Sequence, residues 1–231
     1  MPLLFLFLFA LVMDVNGAAG MTGTEHFTGR AYSEQGDLSY LERHRIVYQD
    51  GRVIRSETTY FDANNRPIGD LLSDYEWPPQ HCTYSFRDLR AKYEDGVKAE
   101  GNRLVLYRKK SPEKEMESTE LSKQSDQIVG QGFHHFLVLN LEAIAKGKVF
   151  HVKLVMPSRL DQFSFRIRKL HREGDILSIR LEIENWFLRL FAPHVDCDYD
   201  LKTRRLLRYV GVSNLEDPSG GHRKLTILYT Y

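Results

Sequence analysis

Cysteine is nearly absent from this chain of 231 residues, which has only Cys82 and Cys197. A small scaffold stapled by several disulfides is thereby excluded. A single Cys82–Cys197 bridge is one expectation and two separate buried thiols the other. Spacing alone does not tell whether the two Cα atoms come within about 7 Å. An excess of either charge is also lacking, since 32 Lys and Arg stand against 31 Asp and Glu. General nucleic-acid binding needs a basic surplus and is not expected. No Gly-x-Ser-x-Gly elbow is present, and Ser213 sits in Gly211-Val212-Ser213-Asn214, which reads as the end of a strand. No glycine-rich stretch opens a helix carrying Lys, so nucleotide chemistry has no support. These absences imply a protein without catalytic activity and without a cofactor.

Long apolar runs are missing after residue 20, so no transmembrane helix of ~20 residues is expected. The one strong run is Leu3 to Met13, followed by the small and polar Asp14-Val15-Asn16-Gly17-Ala18-Ala19-Gly20. It is too short to span a bilayer. Its order matches the apolar core and cleavage site of a secretory signal, with cleavage after Gly17 or Ala19. No Lys or Arg precedes the run, so only the α-amino group supplies positive charge. No Cys follows it, so a lipid anchor is not indicated. Residues 1–19 are expected to be a signal peptide and 20–231 a single antiparallel β domain. The expected compartment is the periplasm, with the outer membrane as the alternative. Loss of the leader removes Asp14 and no Lys or Arg, leaving a net charge of about +2.

What is abundant is period-two alternation. Phe163, Phe165 and Ile167 alternate with Ser164, Arg166 and Arg168; Ile179, Leu181 and Ile183 alternate with Arg180, Glu182 and Glu184. Phe150, Val152, Leu154 and Met156 form another row. Strands wet on one face only are the expected product, and they pair antiparallel. Turn residues separate the runs at Gln49-Asp50-Gly51, Glu100-Gly101-Asn102, Glu173-Gly174-Asp175 and Asp200 to Thr203. About ten strands are expected. The segment 109–127 is charged and nearly free of aromatics, and reads as a mobile loop. Phe133, Phe136, Leu137, Leu141 and Ile144 recur at helical spacing over 132–145. A helix with that stripe must pack on the apolar face of the sheet. The fold class is therefore mainly β: a strongly curved antiparallel sheet, or an open or closed barrel, with one covering helix.

Several segments resemble an uncharacterised family of exported proteins of Gram-negative bacteria. They are Phe86-Arg87-Asp88-Leu89-Arg90 with Tyr93-Glu94-Asp95-Gly96, Gly130-Gln131-Gly132-Phe133-His134-His135-Phe136, and Met156-Pro157-Ser158-Arg159-Leu160. Asn185-Trp186-Phe187-Leu188-Arg189-Leu190-Phe191 and Tyr199 to Tyr209 with Gly211-Val212-Ser213-Asn214 complete the set. The resemblance implies export and brings no activity. In strand pattern the chain is also similar to the half-barrel lipoprotein carriers of the periplasm, which is an analogy of architecture alone.

Polar clusters read mostly as wet sheet faces. His194, Asp196, Cys197 and Asp198, with His81 and Cys82, lack the tight paired spacing of zinc ligands. His134 and His135 are adjacent and point different ways on a helix, and no metal is expected at either. Glu182 and Glu184 would share a strand face, where charged residues are commoner than a glycosidase pair. Arg166, Arg168, Lys169, His171 and Arg172 cluster, as do Lys202, Arg204, Arg205 and Arg208; neighbouring acids balance them. The function expected is binding of an apolar or lipid-like ligand on the concave face of the sheet. Phe133, Phe136, Leu137, Phe163, Phe165 and Trp186 are the candidate contacts. The alternatives are a small outer-membrane β-barrel and a non-catalytic scaffold with an envelope protein partner.

Overall fold

The computed structural model describes residues 22–187, 189, 193–216, 221 and 224–231. The expected leader 1–19 and the segment 190–192 lie outside the described residues. The strands are β1 (Gly23–Tyr32), β2 (Leu38–Gln49), β3 (Arg52–Phe61), β4 (Pro67–Asp74), β5 (Thr83–Asp88), β6 (Tyr93–Glu100), β7 (Arg103–Lys109), β8 (Glu117–Ser122) and β9 (Gln127–Val129). Helix α1 (Gly132–Ala145) follows. Then come β10 (Phe150–Met156), a 3-10 turn (Pro157–Arg159), β11 (Asp161–Glu173), β12 (Ile176–Ile183), β13 (Val195–Asp200), β14 (Leu206–Val212) and β15 (Lys224–Thr230).

All fifteen strands belong to one sheet, in the order β8-β7-β6-β5-β4-β3-β2-β1-β15-β14-β13-β12-β11-β10-β9. The pairing is antiparallel throughout, except that β9 runs parallel to β10. The sheet is curved and open, because β8 and β9 form its two edges. Only residues 123–126 separate those edges in sequence, so the sheet has to curl round on itself. Side chains bridge the seam where no backbone ladder does. Gln127 Nε2 donates to Ser122 O at 3.1 Å, and Arg108 Nη1 donates to Ser158 O.

Two expectations need correction. The described residues form fifteen strands, not about ten. The segment 109–127 is not one long loop, since Glu117–Ser122 is the edge strand β8, paired along β7 from Arg103↔Ser122 to Arg108↔Glu117. Its side chains are polar except Leu121, which packs on the core from the half-buried face, and every residue is half-buried or exposed. An edge strand of that kind lacks an apolar face to give it away, and charge on an edge deters further pairing.

The hairpins follow from local chemistry. At the β2–β3 turn Asp50 and Gly51 both have positive φ, 50° and 74°. That pattern is a type I′ turn, which suits the twist of paired strands. On the outer face, cross-strand partners are oppositely charged. Arg180 meets Asp196 through two bonds of 2.7 Å, Arg87 meets Asp70 at 3.0 and 2.8 Å, and Arg55 meets Asp74 at 2.9 Å. Each such pair adds ~0–1 kcal/mol, so they define an outside more than they hold it.

Helix α1 has the expected bounds, and Leu137, Leu141 and Ile144 are fully buried on one stripe. They pack with Ile128, Val152, Ile167, Leu177, Ile179 and Leu181 into one core cluster. A second cluster lies under β1 to β7 and β15, from Phe27 and Tyr40 to Leu225 and Ile227. The first turn of α1 reaches both halves of the sheet. His135 stacks edge-on against Tyr75 beyond β4, with centroids 4.9 Å apart, and His134 contacts Tyr199 on β13. The helix therefore sits on the concave side. No helix among the described residues is long and apolar enough to cross a membrane.

Candidate functional site

Where the two core clusters meet, the interior is not filled. A chamber of about 260 Å³ lies between α1 and the strands, with walls from Phe27, Ile46, Leu71, Phe133, Leu206 and Ile227. Its polar groups come from inward rows of strands. On β2 the row is Tyr40, Glu42, His44, Ile46 and Tyr48; on β3 it includes Ser56, Thr58 and Tyr60. Period-two geometry sends all of them to one face. Glu42 is 5% exposed and Thr58 2% exposed.

These side chains form a hydrogen-bonded chain. His44 Nε2 lies 2.9 Å from Glu42 Oε2, and His44 Nδ1 lies 2.9 Å from Thr58 Oγ1. Gln131 Nε2 donates to the same hydroxyl at 2.9 Å. An ionised carboxylate only accepts, so Nε2 carries the proton given to Glu42. The Thr58 hydroxyl meets Nδ1 on the other side of the ring, so both ring nitrogens are engaged. Two features hold the chain in place. The Phe27 ring stacks on His44 at 4.3 Å with 4° between planes. Gly29 supplies room, because a Cβ there would stand 2.8 Å from Glu42 Oε2.

Carboxylate, imidazole and hydroxyl in this order have the connectivity of a nucleophile with its base and orienting acid. Thr58, however, has His44 on one side of its hydroxyl and Gln131 on the other. It lacks the open approach a nucleophile requires. The arrangement locks a buried carboxylate and ring in place, which suits recognition.

The helix end of the chamber is neutral. Burial first and the nearby His44 ring second push His134 down to about 4. Its Nδ1 accepts from the Tyr199 hydroxyl at 2.9 Å, and Tyr199 is held well above the usual phenol range by burial. His135 is likewise pushed well down by burial and by His134. The link from β9 into α1 is tight. Gly130 has φ of 47°, and a Cβ there would be 2.3 Å from the Tyr84 ring.

The chamber opens toward a wider hollow of about 1150 Å³, which shares Phe27, Ile46, His134 and His135 with it. The hollow is bordered by Tyr48, Trp77, Leu139 and Tyr231, with Glu25, Asp50, Arg52, Arg204 and Arg205 among its charged residues. Those arginines have partners. Arg52 lies over Trp77 at 5.4 Å, Arg204 donates to Val138 O at 2.9 Å, and Arg205 pairs with Glu25 at 3.2 Å and covers Tyr231 at 4.5 Å.

The six expected contacts are not brought together. Phe133 lines the chamber. Leu137 is core, and Phe136 and Phe165 pack against that core. Phe163 is 40% exposed and Trp186 is 72% exposed. Glu182 is held by Arg166 and Arg168 at 2.7 and 2.9 Å, and Glu184 lies 2.7 Å from His151, so neither carboxylate is left for acid–base work. No group of three or more metal-ligating side chains occurs among the described residues. Glu42, His44 and Thr58 went unnoticed in the sequence. Their one signal is parity, since Glu42 and His44 share the apolar register of Tyr40, Ile46 and Tyr48.

The disulfide is not formed. Cys82 and Cys197 are free, buried, and placed in different core clusters. The Cys82 thiol donates to Val129 O at 3.2 Å, and burial pushes it up to about 11; burial raises Cys197 as well. Neither thiol is expected to react with Ellman's reagent until the protein is unfolded. A gain in mass on treatment with a reductant would show a bridge instead.

No family model matches the chain, and no curated protein does. Among solved structures, the chain is similar to a β-barrel-like protein of a domain of unknown function (DUF1849) from Brucella abortus, at 8% identity and a TM-score of 0.42, over 92% of this chain and 99% of that one.

Proposed function

We propose that the protein binds a small, partly apolar organic molecule inside its wrapped sheet, as a non-catalytic envelope carrier or binding protein. The observation that carries this reading is the chamber of about 260 Å³ and its continuity with the wider hollow. Ligand sites range over ~300–1,000 Å³, and the two spaces bracket that range. The chamber alone holds on the order of nine water volumes, which suits a short ligand better than a whole diacyl lipid. A rigid polar chain at its inner wall supplies orientation, and the aromatic walls supply affinity. The leader pattern of residues 3–13 supports an envelope location.

The outward ion pairs weigh against a lipid-facing barrel. Arg180–Asp196, Arg87–Asp70 and Arg55–Asp74 lie on the face that would meet lipid. A charge at the bilayer midplane costs ~2–4 kcal/mol in such barrels. A scaffold role would need a surface for a partner, and the β8 edge is charged with Glu117 and Glu120.

Purified without detergent, the protein is expected to carry a small molecule detectable by native mass spectrometry. Leu206→Trp, which narrows the chamber, is expected to lose it. Recovery only in detergent, or no bound molecule together with a melting temperature that no amphipathic compound raises, would reject the reading.

A further inference from the structure

We propose that the chamber is a site for a small organic ammonium ion, held by the Glu42 carboxylate within a cage of aromatic rings. This rests on the reading of the chamber as a binding site and names the class of ligand.

The first argument is charge. Among the described residues no Lys or Arg lines the chamber, while Glu42 and Glu57 do. Glu57 is tied outside by Arg55 at 2.7 Å and Arg45 at 3.2 Å. Among the described residues Glu42 has His44 as its one ionisable partner, a countercharge only when protonated. A buried carboxylate with no cation beside it is costly, and the usual remedy is a paired and hydrogen-bonded charge. No Lys or Arg among the described residues takes that place, so it is open to a cation from outside.

The second argument is the surroundings of the carboxylate. Tyr40, Tyr60, Tyr209 and Tyr229 are all raised above the usual phenol range, by burial first and by the negative charge of Glu42 as well. Four phenols therefore lie within electrostatic reach of one carboxylate. Phe27 and Tyr229 meet edge to face at 5.9 Å, and Tyr40 and Tyr60 at 5.8 Å. Rings set around a point of negative charge favour a cation, through their electron-rich faces.

The third argument is an unused acceptor. Gln131 also lines the chamber, and its Oε1 is buried without a partner, although its Nε2 is bonded to Thr58. An ammonium group has several N–H donors and no acceptor, which is what a carboxylate and an orphan carbonyl oxygen require. The hollow outside carries both signs of charge, so discrimination falls to the chamber itself.

The test uses the full chain and three probes of equal length, hexylammonium, hexanol and hexanoate, titrated calorimetrically at pH 8. Hexylammonium is expected to bind at least about tenfold tighter than hexanol, with hexanoate weakest. Glu42→Gln is expected to remove the preference, and a cooperative thermal melt reports that the variant has folded. Equal affinity for amine and alcohol, or a preference unchanged by Glu42→Gln, would overturn the ammonium site and leave the chamber reading standing. Binding of none of the three would overturn both. The wild-type comparison decides the matter even where the variant fails to fold.

Discussion

Leu137→Ala is expected to destabilise the protein by about 2–5 kcal/mol. Leu137 is 0% exposed and stands at the centre of the α1 stripe with Leu141 and Ile144. Its cluster is built mainly from Ile128, Val152, Ile167, Leu177, Ile179 and Leu181, so the deleted methyl groups would leave a cavity. The cost is then a transfer term plus a cavity term. For a chain of this size the melting temperature should fall by on the order of 10 °C. Leu139 lies on the opposite side of the same helix and is exposed. Leu139→Ala should stay within about 0.5 kcal/mol and serves as the control for helix propensity. Thermal unfolding of the two variants checks the prediction. A Leu137→Ala protein that melts with the wild type would show that α1 is not anchored in the concave face.

Acid should loosen the same helix by another route. His134 is pushed down to about 4 and His135 is also lowered, in both cases chiefly by burial. In the unfolded chain each titrates near ~6.5. Below that pH the unfolded state binds protons that the folded state refuses. Stability is therefore complete above ~6.5 and declines as pH falls toward the folded value. Over that interval His134 alone removes about 3 kcal/mol. The groups facing His134 are the Tyr199 hydroxyl, which stays neutral, the His44 ring, and His135, whose charging adds repulsion. Glu57, Glu182 and Asp196 are held below the usual carboxylate range by their arginine partners, and Glu182 and Asp196 are so held against their own burial. Their losses begin near ~4.5, mostly below the histidine window. Urea midpoints at pH 7, 6 and 5 should fall in sequence, and a His134→Gln, His135→Phe double variant should flatten the slope. Equal midpoints at pH 7 and 5 would remove the argument.

How far the site was legible can be seen strand by strand. Strands with one apolar row, such as Phe163 to Ile167, declare themselves by alternation. β8 does not, because Glu117–Ser122 has Leu121 as its one apolar residue and no alternation, and it is a strand because β7 offers it a ladder. Short strands without an apolar face were missed for that reason, and the count came out low. Among the expected contacts, Phe133 was placed on the chamber and Trp186 on the outside, although both are aromatic. Aromatic character says that a side chain seeks cover. It does not say which cover it finds.

Sequence by itself determined the β class, the bounds of the single helix and its buried stripe, since these rest on periodicities of two and 3.6 carried by local residues. The Asp50-Gly51 turn belongs with them, because its positive φ values are a property of those two residues. Tertiary structure alone decided the rest. It set Glu42, His44, Thr58 and Gln131 in one chain across two strands and a helix, kept the two cysteines in separate clusters, and left a space between the clusters. The reason is that adjacency across a sheet depends on register and curvature, which are set by the packing of the whole wrapped surface and are written in no single segment.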